Sequence, residues 1–328
     1  MSGGVDSTAA ALLLKQQGVH CEGAVLELFE GSGAADEARA AAERLQIPLH
    51  VFNLSADFQA HVTAPFIKEY KAGRTPNPCV ECNRFLKFGR LLQCADDLGF
   101  DRVATGHYAR IEREGGRYLL KKGKDLGKDQ SYVLYTLTQE QLARIIFPLG
   151  NLTKEDVREL SAVQKKESQD ICFIPDGDYA GFIARTTGES FPKGRFMGTD
   201  GRDLGEHRGV IHYTVGQRRG LGVAHEKPLY VKEIKPKENV IILGTEETLY
   251  TRALTVNNGN LIAFPNLDKP LRAAVKIRYR HPGQPAVITQ TDSQTFHIEF
   301  DQPQRAVTPG QAAVIYDGDV VIGGGTIE

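Results

Sequence analysis

The first feature of the sequence is a glycine-rich turn that leads directly into an apolar helical segment. The turn is Ser2-Gly3-Gly4-Val5-Asp6-Ser7, and the run Ala9-Ala10-Ala11-Leu12-Leu13-Leu14 follows it. Glycine lets backbone N–H groups close around an anion, serine hydroxyls add donors, and a helix N-terminus adds positive potential. The same string is also common as a simple helix cap, so other residues must decide between the two interpretations.

The turn differs from the common phosphate loop in one respect. No Gly-Lys-Ser/Thr sequence follows it, so the lysine that would contact the terminal phosphates is missing. Cleavage of ATP between its first two phosphates, which yields an adenylate and pyrophosphate, fits such a loop better. Asp6 is the candidate ligand for Mg²⁺.

The composition is that of a soluble globular protein. The chain has 328 residues, of which 41% are hydrophobic and 25% charged, and this length predicts two to three domains. No apolar run approaches the roughly 20 residues that span a bilayer, and the opening turn does not resemble a signal peptide. We therefore expect a cytoplasmic protein with no membrane partner. A net charge of −1 gives no overall sign of nucleic-acid binding, so any RNA-binding surface must be a local patch.

The periodicity of the first part predicts an α/β region. Helices and strands alternate at the spacing of βαβ units, which predicts a parallel sheet with a site at the carboxyl ends of its strands. The expected helices are residues 7–17, 34–45, 58–70 and 83–98, and the expected strands are residues 24–28, 49–54 and 102–105.

After Phe173 the sequence changes to alternating segments punctuated by glycine. We expect short strands at residues 229–231, 240–243, 272–280, 286–290, 295–300 and 312–316. The last four of these strands suggest a small closed barrel. We predict three domains. An α/β catalytic domain covers residues 1–172, a small mixed or β central domain covers 173–247, and a C-terminal β-barrel covers 248–328.

The five cysteines are too few and too scattered for a disulfide framework. Cys79 and Cys82 form a proline-framed Cys-x-x-Cys sequence just before a predicted helix, where the helix N-terminus should lower the pKa of a thiol. A second pair at zinc spacing is absent, which disfavours structural zinc. Cys172 alone would be interpreted as a core residue, and Cys21 and Cys94 are interpreted as packing residues.

Separated motifs along the chain occur together in one protein family. They are the opening turn, Lys71-Ala72-Gly73-Arg74-Thr75-Pro76-Asn77-Pro78, Ala104-Thr105-Gly106-His107-Tyr108, Lys128-Asp129-Gln130-Ser131-Tyr132, Ser168-Gln169-Asp170-Ile171-Cys172-Phe173-Ile174, His212-Tyr213-Thr214-Val215-Gly216-Gln217-Arg218, Arg278-Tyr279-Arg280 and Val307-Thr308-Pro309-Gly310-Gln311. With them the chain resembles the tRNA-specific 2-thiouridylases, the MnmA and TRMU family of PP-loop ATP pyrophosphatases, over essentially its whole length. The resemblance implies an α/β PP-loop domain, of the adenine nucleotide alpha hydrolase-like kind, ahead of the β-rich domains.

The resemblance also implies roles for individual residues. Cys82 matches the family's nucleophile, and Cys172 matches the cysteine that carries a persulfide. The residues that fall where the family holds ATP are Ser2, Gly3, Gly4, Val5, Asp6, Ser7, Gly106 and, beside the adenine, Leu26. The residues that fall where the family contacts tRNA are Asn77, Pro78, Cys79, His107, Lys128, Asp129, Gln130, Arg278, Tyr279 and Gln311.

The activity implied is 2-thiolation of the wobble uridine in tRNA for lysine, glutamate or glutamine. ATP, with Mg²⁺, would adenylate the 2-carbonyl oxygen of the base, because that oxygen is otherwise a poor leaving group. A cysteine desulfurase or a sulfur-relay protein would load sulfur onto Cys172, and Cys82 would release the product by forming a disulfide. The anticodon stem-loop is the expected RNA partner, since the base must leave its stack.

Cys79 leaves a second route open. Many family members have aspartate there, whereas in this chain Cys79, Cys82 and Cys172 could ligate three irons of a [4Fe-4S] cluster and leave one iron open for sulfide. A tRNA-binding relative that has lost catalysis is another interpretation, which the intact loop and the cysteines disfavour. A ligase that adenylates a small carboxylate is disfavoured by the β-rich tail, because a small substrate needs no such extension.

The sequence also departs from the family pattern. The strand that precedes the glycine turn in PP-loop enzymes is absent, since Met1 lies where that strand should end. The segments after Leu28 and between Leu160 and Lys165 are shorter than in the family. We expect a parallel sheet without its central strand, and greater stability and ATP affinity once upstream residues are restored.

Overall fold

The computed structural model describes residues 1–161 and 171–328. They form an N-terminal α/β region, a small central β-rich region and a C-terminal β-barrel. The elements of the N-terminal region are α1 (Val5–Gln16), β1 (Gly23–Glu27), α2 (Ala34–Leu45), β2 (Leu49–Asn53), α3 (Ser55–Phe58), α4 (Ala64–Lys71), α5 (Pro78–Glu81), α6 (Leu91–Asp97), β3 (Val103–Ala104), β4 (Ala109–Glu114), β5 (Arg117–Lys122), α7 (Gln139–Arg144), β6 (Ile145–Ile146) and α8 (Lys154–Ser161).

The parallel strands of the N-terminal region form two separate pairs. β1 pairs with β2, with Gly23 opposite Leu49, and β3 pairs with β6, with Val103 opposite Ile145. The amino group of Met1 donates to the carbonyl of Ala24, so the start of the glycine turn lies alongside β1. The parallel pairing is as predicted, but the described strands do not form one continuous sheet.

Small residues let α2 lie close to β1. Its buried positions include Ala35, Ala38 and Ala42, which are spaced three and four residues apart and therefore share one face. Ala35 and Ala38 pack with Val25 of β1 in one apolar cluster. Because alanine projects only a methyl group, the helix axis approaches the strand closely and covers it.

Two long helical segments contain π-helical turns. Residues Gln59–Thr63 connect α3 to α4, and residues Cys82–Arg90 connect α5 to α6. The sequence predicted one regular helix in each place, over 58–70 and 83–98; both helices begin earlier, and part of each has i→i+5 hydrogen bonding. π-helical turns are rare and are frequent at functional sites, and hydrophobic periodicity does not reveal them.

The central region is a four-stranded sheet in the order β8-β7-β10-β9. Phe196, Val231 and Ile241 from its strands are fully buried, and Phe66 and Tyr70 of α4 join their cluster. The central region is therefore packed directly on the N-terminal α/β region. Its elements are α9 (Tyr179–Thr187), β7 (Gly194–Gly198), β8 (Asp203–His207), β9 (Tyr230–Lys235) and β10 (Val240–Gly244).

The C-terminal region closes into a barrel. The strands follow the order β11-β14-β13-β12-β15-β16, and β16 pairs back to β11. In β14, Phe296, Ile298 and Phe300 point inward and are buried, while alternate residues are exposed. The barrel strands are β11 (Tyr250–Leu261), β12 (Leu271–Lys276), β13 (Gln284–Asp292), β14 (Thr295–Arg305), β15 (Ala312–Asp317) and β16 (Val320–Ile327).

The barrel and the N-terminal region share a sheet and a core. The β4–β5 hairpin continues the barrel sheet through the pairing of Lys121 with Val320. Leu120 of the hairpin is fully buried in the same cluster as Val314 and Tyr316 of the barrel. This contact fixes the position of the barrel against the catalytic domain.

The predicted fold class is confirmed, since parallel strands with flanking helices precede a β-rich part that ends in a closed barrel. In residues 1–161 and 171–328, no helix combines the length and the apolarity needed to cross a bilayer.

Truncating Leu86 tests whether the π-helical segment contributes to the stability of the hydrophobic core. Leu86 is fully buried, so Leu86→Ala should lower the free energy of unfolding by about 2–5 kcal/mol. Urea denaturation followed by circular dichroism measures this change. Leu126→Ala is the control, because Leu126 is 71% exposed and its loss should change stability by less than about 0.5 kcal/mol. Equal effects of the two substitutions would contradict the prediction.

Candidate active site

The glycine turn is held in a conformation that only glycine accommodates. Gly3 has φ +69°, and an added Cβ would lie 2.5 Å from the carbonyl oxygen of Glu37. Ser2 N donates to Ser7 Oγ at 3.1 Å, and Ser7 Oγ donates to the Gly4 carbonyl at 3.2 Å. These bonds close the turn over the N-terminus of α1, which is a favourable place for phosphate.

Asp6 connects three segments of the chain. Its Oδ1 accepts hydrogen bonds from Tyr108 Oη at 2.8 Å and from Lys154 Nζ at 2.7 Å. Lys154 is 6% exposed and its ammonium also lies 5.6 Å from the centre of the Tyr108 ring. An added Cβ on Gly106 would lie 2.8 Å from the Asp6 carbonyl carbon, so Gly106 packs directly on the turn. The predicted ATP residues Asp6 and Gly106 therefore lie together.

The local sequence explains why Lys154 reaches Asp6. Thr153 and Asp156 cap α8 by exchanging hydrogen bonds, Thr153 N to Asp156 Oδ2 at 2.8 Å and Asp156 N to Thr153 Oγ1 at 3.2 Å. The backbone N–H of Lys154 donates to Asp125 Oδ2 at 2.9 Å. These bonds fix the first turn of α8 against the segment that contains Asp125.

The side chains present do not form a protein site for Mg²⁺. Asp6 Oδ1 already accepts from two donors, one of them a cation. In the part of the chain that the structure describes, no group of three His, Cys, Asp or Glu residues could hold a metal ion. A magnesium ion would reach this site as part of magnesium-ATP, held by the phosphates of the substrate.

Cys82 lies at the start of the π-helical segment and is 8% exposed. It packs in an apolar cluster with Phe58 and Leu86, against which Leu26 and Phe173 also lie. The ring of Phe173 is 5.3 Å from the ring of Phe58, and Cys172 is its neighbour in sequence. The predicted adenine contact and both predicted sulfur residues thus belong to segments that meet at one cluster.

The electrostatics of the thiols differ from the sequence prediction. Burial raises the pKa of Cys79 and Cys82, and burial together with negative charge on Cys82 and Cys79 raises the pKa of Cys172 to about 11. Cys79 and Cys172 keep exposed surface, but the surrounding protein still desolvates their thiolates. The expectation of a pKa lowered by the helix N-terminus is therefore wrong for Cys79 and Cys82, because desolvation outweighs the dipole of the four-residue α5.

Lys87 opposes this effect. Its ammonium lowers the pKa of Cys79, Cys82 and Cys172 against the larger effect of burial. All three cysteines are free, and because their pKa values are raised their thiols are protonated at neutral pH.

Three of the predicted tRNA residues in the N-terminal region have structural roles. Asn77 caps α5 by accepting from Cys79 N at 3.1 Å. His107 is 6% exposed, its Nδ1 lies 2.8 Å from Thr105 Oγ1, and burial lowers its pKa well below the usual value, which keeps the ring neutral. Pro78 is buried at the first turn of α5.

The remaining predicted tRNA residues lie where the barrel meets the catalytic domain. Gln311 Nε2 donates to the Thr75 carbonyl at 2.7 Å, and Tyr279 Oη donates to the Asp129 carbonyl at 2.9 Å. Asp129 itself is buried and accepts from Gly123 N at 3.1 Å. Three more predicted tRNA residues belong to this group. Gln130 Oε1 accepts from Tyr108 N at 3.0 Å, and the exposed Arg278 donates through Nη1 to the Arg305 carbonyl at 3.3 Å. Lys128 is half-buried.

Sequence reasoning missed Lys154 and Lys87. A signal existed for Lys154, because a lysine in the first turn of a capped helix opposes the helix dipole and has to be compensated by another contact. No sequence signal marked Lys87, since only the π-helical turn determines which residues share a face with Cys82. Ser168, Gln169 and Asp170 of the predicted cysteine motif, and the short segment before Lys165, lie outside the described residues.

Family models match the three regions. Residues 1–176 match a model described as a tRNA methyl transferase HUP domain, residues 180–245 match a tRNA methyl transferase PRC-barrel domain, and residues 251–327 match an aminomethyltransferase beta-barrel domain. Together with the glycine turn at the start of α1, the first match places the chain in the class of PP-loop proteins with a HUP domain.

Full-length relatives narrow the class to one family. The chain is 45% identical to the tRNA-specific 2-thiouridylase MnmA of Lachnoclostridium phytofermentans over 348 residues, which cover 100% of this chain and 98% of the relative. It is 47% identical to MnmA 1 of Caldanaerobacter subterraneus over 350 residues, covering 100% and 96%, and 47% identical to MnmA of Syntrophotalea carbinolica over 342 residues, covering 100% and 97%. The chain belongs to the tRNA-specific 2-thiouridylase family, which confirms the resemblance drawn from the motifs.

A double-mutant cycle tests the pair formed by Asp6 and Lys154. Lys154→Met leaves the Asp6 carboxylate without its cation and should lower the free energy of unfolding by about 2 kcal/mol. Adding Asp6→Asn should lower the free energy of unfolding less in the Lys154→Met variant than in the wild type, because the ion pair is already lost. We expect a coupling energy of only about 1 kcal/mol, since Asp6 keeps some solvent contact. Urea denaturation of the four proteins measures it, and additive effects would contradict it.

The raised pKa of Cys172 predicts slow alkylation at neutral pH. The rate of modification by iodoacetamide, followed by mass spectrometry of the Cys172 peptide, should rise about tenfold per pH unit from pH 7 to 10, since only the thiolate reacts. Lys87→Met should slow the reaction at every pH by raising the pKa further, whereas Lys68→Met, at an exposed position on α4, should not. A rate that reaches half of its maximum near pH 8.5, the ordinary pKa of a thiol, would contradict the prediction.

Proposed function

We propose that the protein catalyses ATP-dependent 2-thiolation of the wobble uridine in tRNA for lysine, glutamate or glutamine. The observation that supports this best is the apolar cluster around Cys82. Leu26, from the end of β1, and Phe173, the neighbour of Cys172, both pack against it. The reaction requires the activated base and the sulfur carrier to come together. This cluster joins the segment that would hold the adenine of ATP, at Leu26, to the segment that contains Cys172.

The first step is adenylation. The uracil 2-oxygen attacks the α-phosphorus of ATP, the bond to the β-phosphate breaks, and pyrophosphate leaves. The glycine turn from Ser2 to Ser7 would surround the phosphates with backbone N–H groups, and Leu26 would lie beside the adenine. Lys154, next to Asp6, offers a buried positive charge beside this turn, which suits the negative charge that develops on pyrophosphate.

The second step transfers sulfur. The terminal sulfur of a Cys172 persulfide attacks C2 of the base and AMP leaves, so that the base is joined to Cys172 through two sulfurs. The Cys82 thiolate then attacks Cys172 Sγ, the S–S bond breaks, and the 2-thiouridine departs with the outer sulfur. A Cys82–Cys172 disulfide remains, and a thiol reductant has to reduce it before the next cycle. The free thiols of both cysteines correspond to the reduced enzyme.

Two partners are needed for this sequence. A cysteine desulfurase or a sulfur-relay protein would supply the outer sulfur to Cys172, which is exposed enough to be reached. The anticodon stem-loop would lie against the junction of the catalytic domain and the barrel, where Tyr279 bonds to Asp129 and Gln311 bonds to Thr75. Arg278 is the neighbour of Tyr279 in sequence. The bonds that Asn77, Asp129 and Gln311 make within the protein suggest that they shape this surface as well as contact RNA.

The route through a [4Fe-4S] cluster has less support. Cys79, Cys82 and Cys172 are not assembled as a ligand set among the residues that the structure describes. The same thiols have raised pKa values, whereas cluster ligands have to bind as thiolates. No step of the proposal passes through a cluster.

Cysteine variants test the proposal. Each variant is incubated with magnesium-ATP, unmodified tRNA for glutamate, a cysteine desulfurase and cysteine. The 2-thiouridine formed is then measured by mass spectrometry of nucleosides. Cys82→Ser and Cys172→Ser should each lower product formation at least about a hundredfold, because each removes a sulfur that forms a covalent bond. Both should keep tRNA-dependent release of pyrophosphate, since adenylation precedes sulfur transfer. Cys94→Ser is the matched control and should remain active.

Three outcomes would contradict the proposal. Wild-type protein that forms no 2-thiouridine would overturn the function itself. Full activity in Cys172→Ser would overturn the persulfide route. Loss of activity in Cys79→Ser, together with iron and labile sulfide in anaerobically purified wild type, would replace that route with the cluster.

A further inference from the structure

A polar cleft of about 670 Å³ lies between the helical segment that follows Cys82 and one end of the barrel. Its walls include His61, Arg84 and Arg90 from the catalytic domain, and Asn258 and Gln294 from the barrel. None of these residues belongs to the proposed ATP, sulfur or tRNA contacts. The volume is within the range of ligand sites, so we asked what chemistry would occupy it.

The charges around the cleft favour an anion. The described residues that line it include two arginines and a histidine and no carboxylate. Asp57, just outside, pairs with Arg90 at 3.2 Å, and Glu81 lies within electrostatic range of Arg84 and His61. Burial raises the pKa of Glu81, which weakens its charge as the pH falls.

Arg84 provides open hydrogen-bond donors. Its guanidinium lies 5.0 Å from the centre of the Phe85 ring, and His61 stacks on that ring at 4.6 Å. Within residues 1–161 and 171–328, no hydrogen bond or ion pair engages the Arg84 guanidinium. A planar guanidinium fixed by an aromatic ring is well suited to bind the oxygens of a phosphate.

Thr136 is a second and independent indication of a ligand. It lines the same cleft, it is 7% exposed, and its buried Oγ1 has no hydrogen-bond partner. A buried hydroxyl without a partner destabilises a protein by about 1–3 kcal/mol. Because this oxygen is closed off from solvent, a ligand oxygen in the cleft would accept its hydrogen bond after a small movement of the Thr136 side chain toward the cleft.

The cleft is separate from the junction where the anticodon stem-loop is proposed to bind. Gln294 lies in the turn between β13 and β14, whereas Arg278 and Gln311 lie near the opposite end of the barrel, where β12 ends and β15 begins. β13 has nine residues and a strand of that length spans about 30 Å. A ligand in the cleft would therefore be a different part of the substrate from the anticodon.

We propose that this cleft binds backbone phosphate of the tRNA substrate outside the anticodon loop, with Arg84 and Thr136 as the contacting residues. The inference rests on the proposed function for its ligand, since tRNA is the polyanion on which the enzyme would act. Phosphate contacts position an RNA without reading its sequence. The cleft would thus orient the stem while the loop is modified.

Arg84→Gln tests the charge, and Arg113→Gln is the matched control. Arg113 is also an exposed arginine above an aromatic ring, 5.6 Å from the centre of Tyr118, but it lies on the β4–β5 hairpin outside the cleft. Binding of labelled full-length tRNA by fluorescence anisotropy should weaken roughly three- to tenfold in Arg84→Gln. The slope of log affinity against log salt should become shallower by about one. Arg113→Gln should change neither quantity.

Thr136→Val tests the hydroxyl in a way that separates binding from folding. The substitution keeps the shape and removes an unpartnered polar atom, so the melting temperature should stay the same or rise, whereas tRNA affinity should fall. A merely structural residue would show the opposite pattern.

Two results would overturn the inference. The first is an unchanged affinity and salt slope in Arg84→Gln. The second combines two measurements: millimolar inorganic phosphate or pyrophosphate stabilises the wild type but not Arg84→Gln, and the variant binds tRNA as tightly as the wild type. This combination would mean that the cleft binds small anions and not tRNA. Both readouts concern binding, so they differ from failure of the thiolation assay, which would instead reject the proposed function.

Discussion

The pair formed by Lys154 and Asp6 holds the glycine turn in place. It joins the glycine turn before α1 to the first turn of α8, and Tyr108 adds a third segment through the same carboxylate oxygen. A buried lysine without a partner would be costly, so this contact also determines where α8 can pack. The conformation of this turn therefore depends on a residue that lies far away in the sequence, since 148 positions separate the two partners.

The π-helical segment has a comparable effect on the surroundings of Cys82. It begins at Cys82, buries Leu86 and Phe88, and leaves Arg84 exposed on another side. One short segment therefore supplies a thiol to the apolar cluster and a cation to the cleft beside the barrel. Burial shields the thiol from solvent and raises its pKa, so the sulfur is protonated at neutral pH.

Much of the fold was predictable from local patterns, and much of the site was not. The alternating residues of β14 and the alanine face of α2 follow from simple periodicity. The glycine turn and Gly106 were identified from motifs, and they do lie together. Lys154 and the raised thiol pKa values depend on long-range packing, which local patterns do not encode. The π-helical bonding of residues 82–90 was missed because its hydrophobic spacing resembles that of an ordinary helix.

The β4–β5 hairpin gives the molecule a mechanical property. Because Lys121 pairs with Val320 and Leu120 is buried among barrel residues, the catalytic domain has no complete core of its own on that side. The two parts are unable to swing apart as rigid bodies without breaking a sheet and opening an apolar interior. The N-terminal region and the barrel are thus tied to each other, and a bulky nucleic acid that binds at their junction has to fit the gap that this hairpin sets.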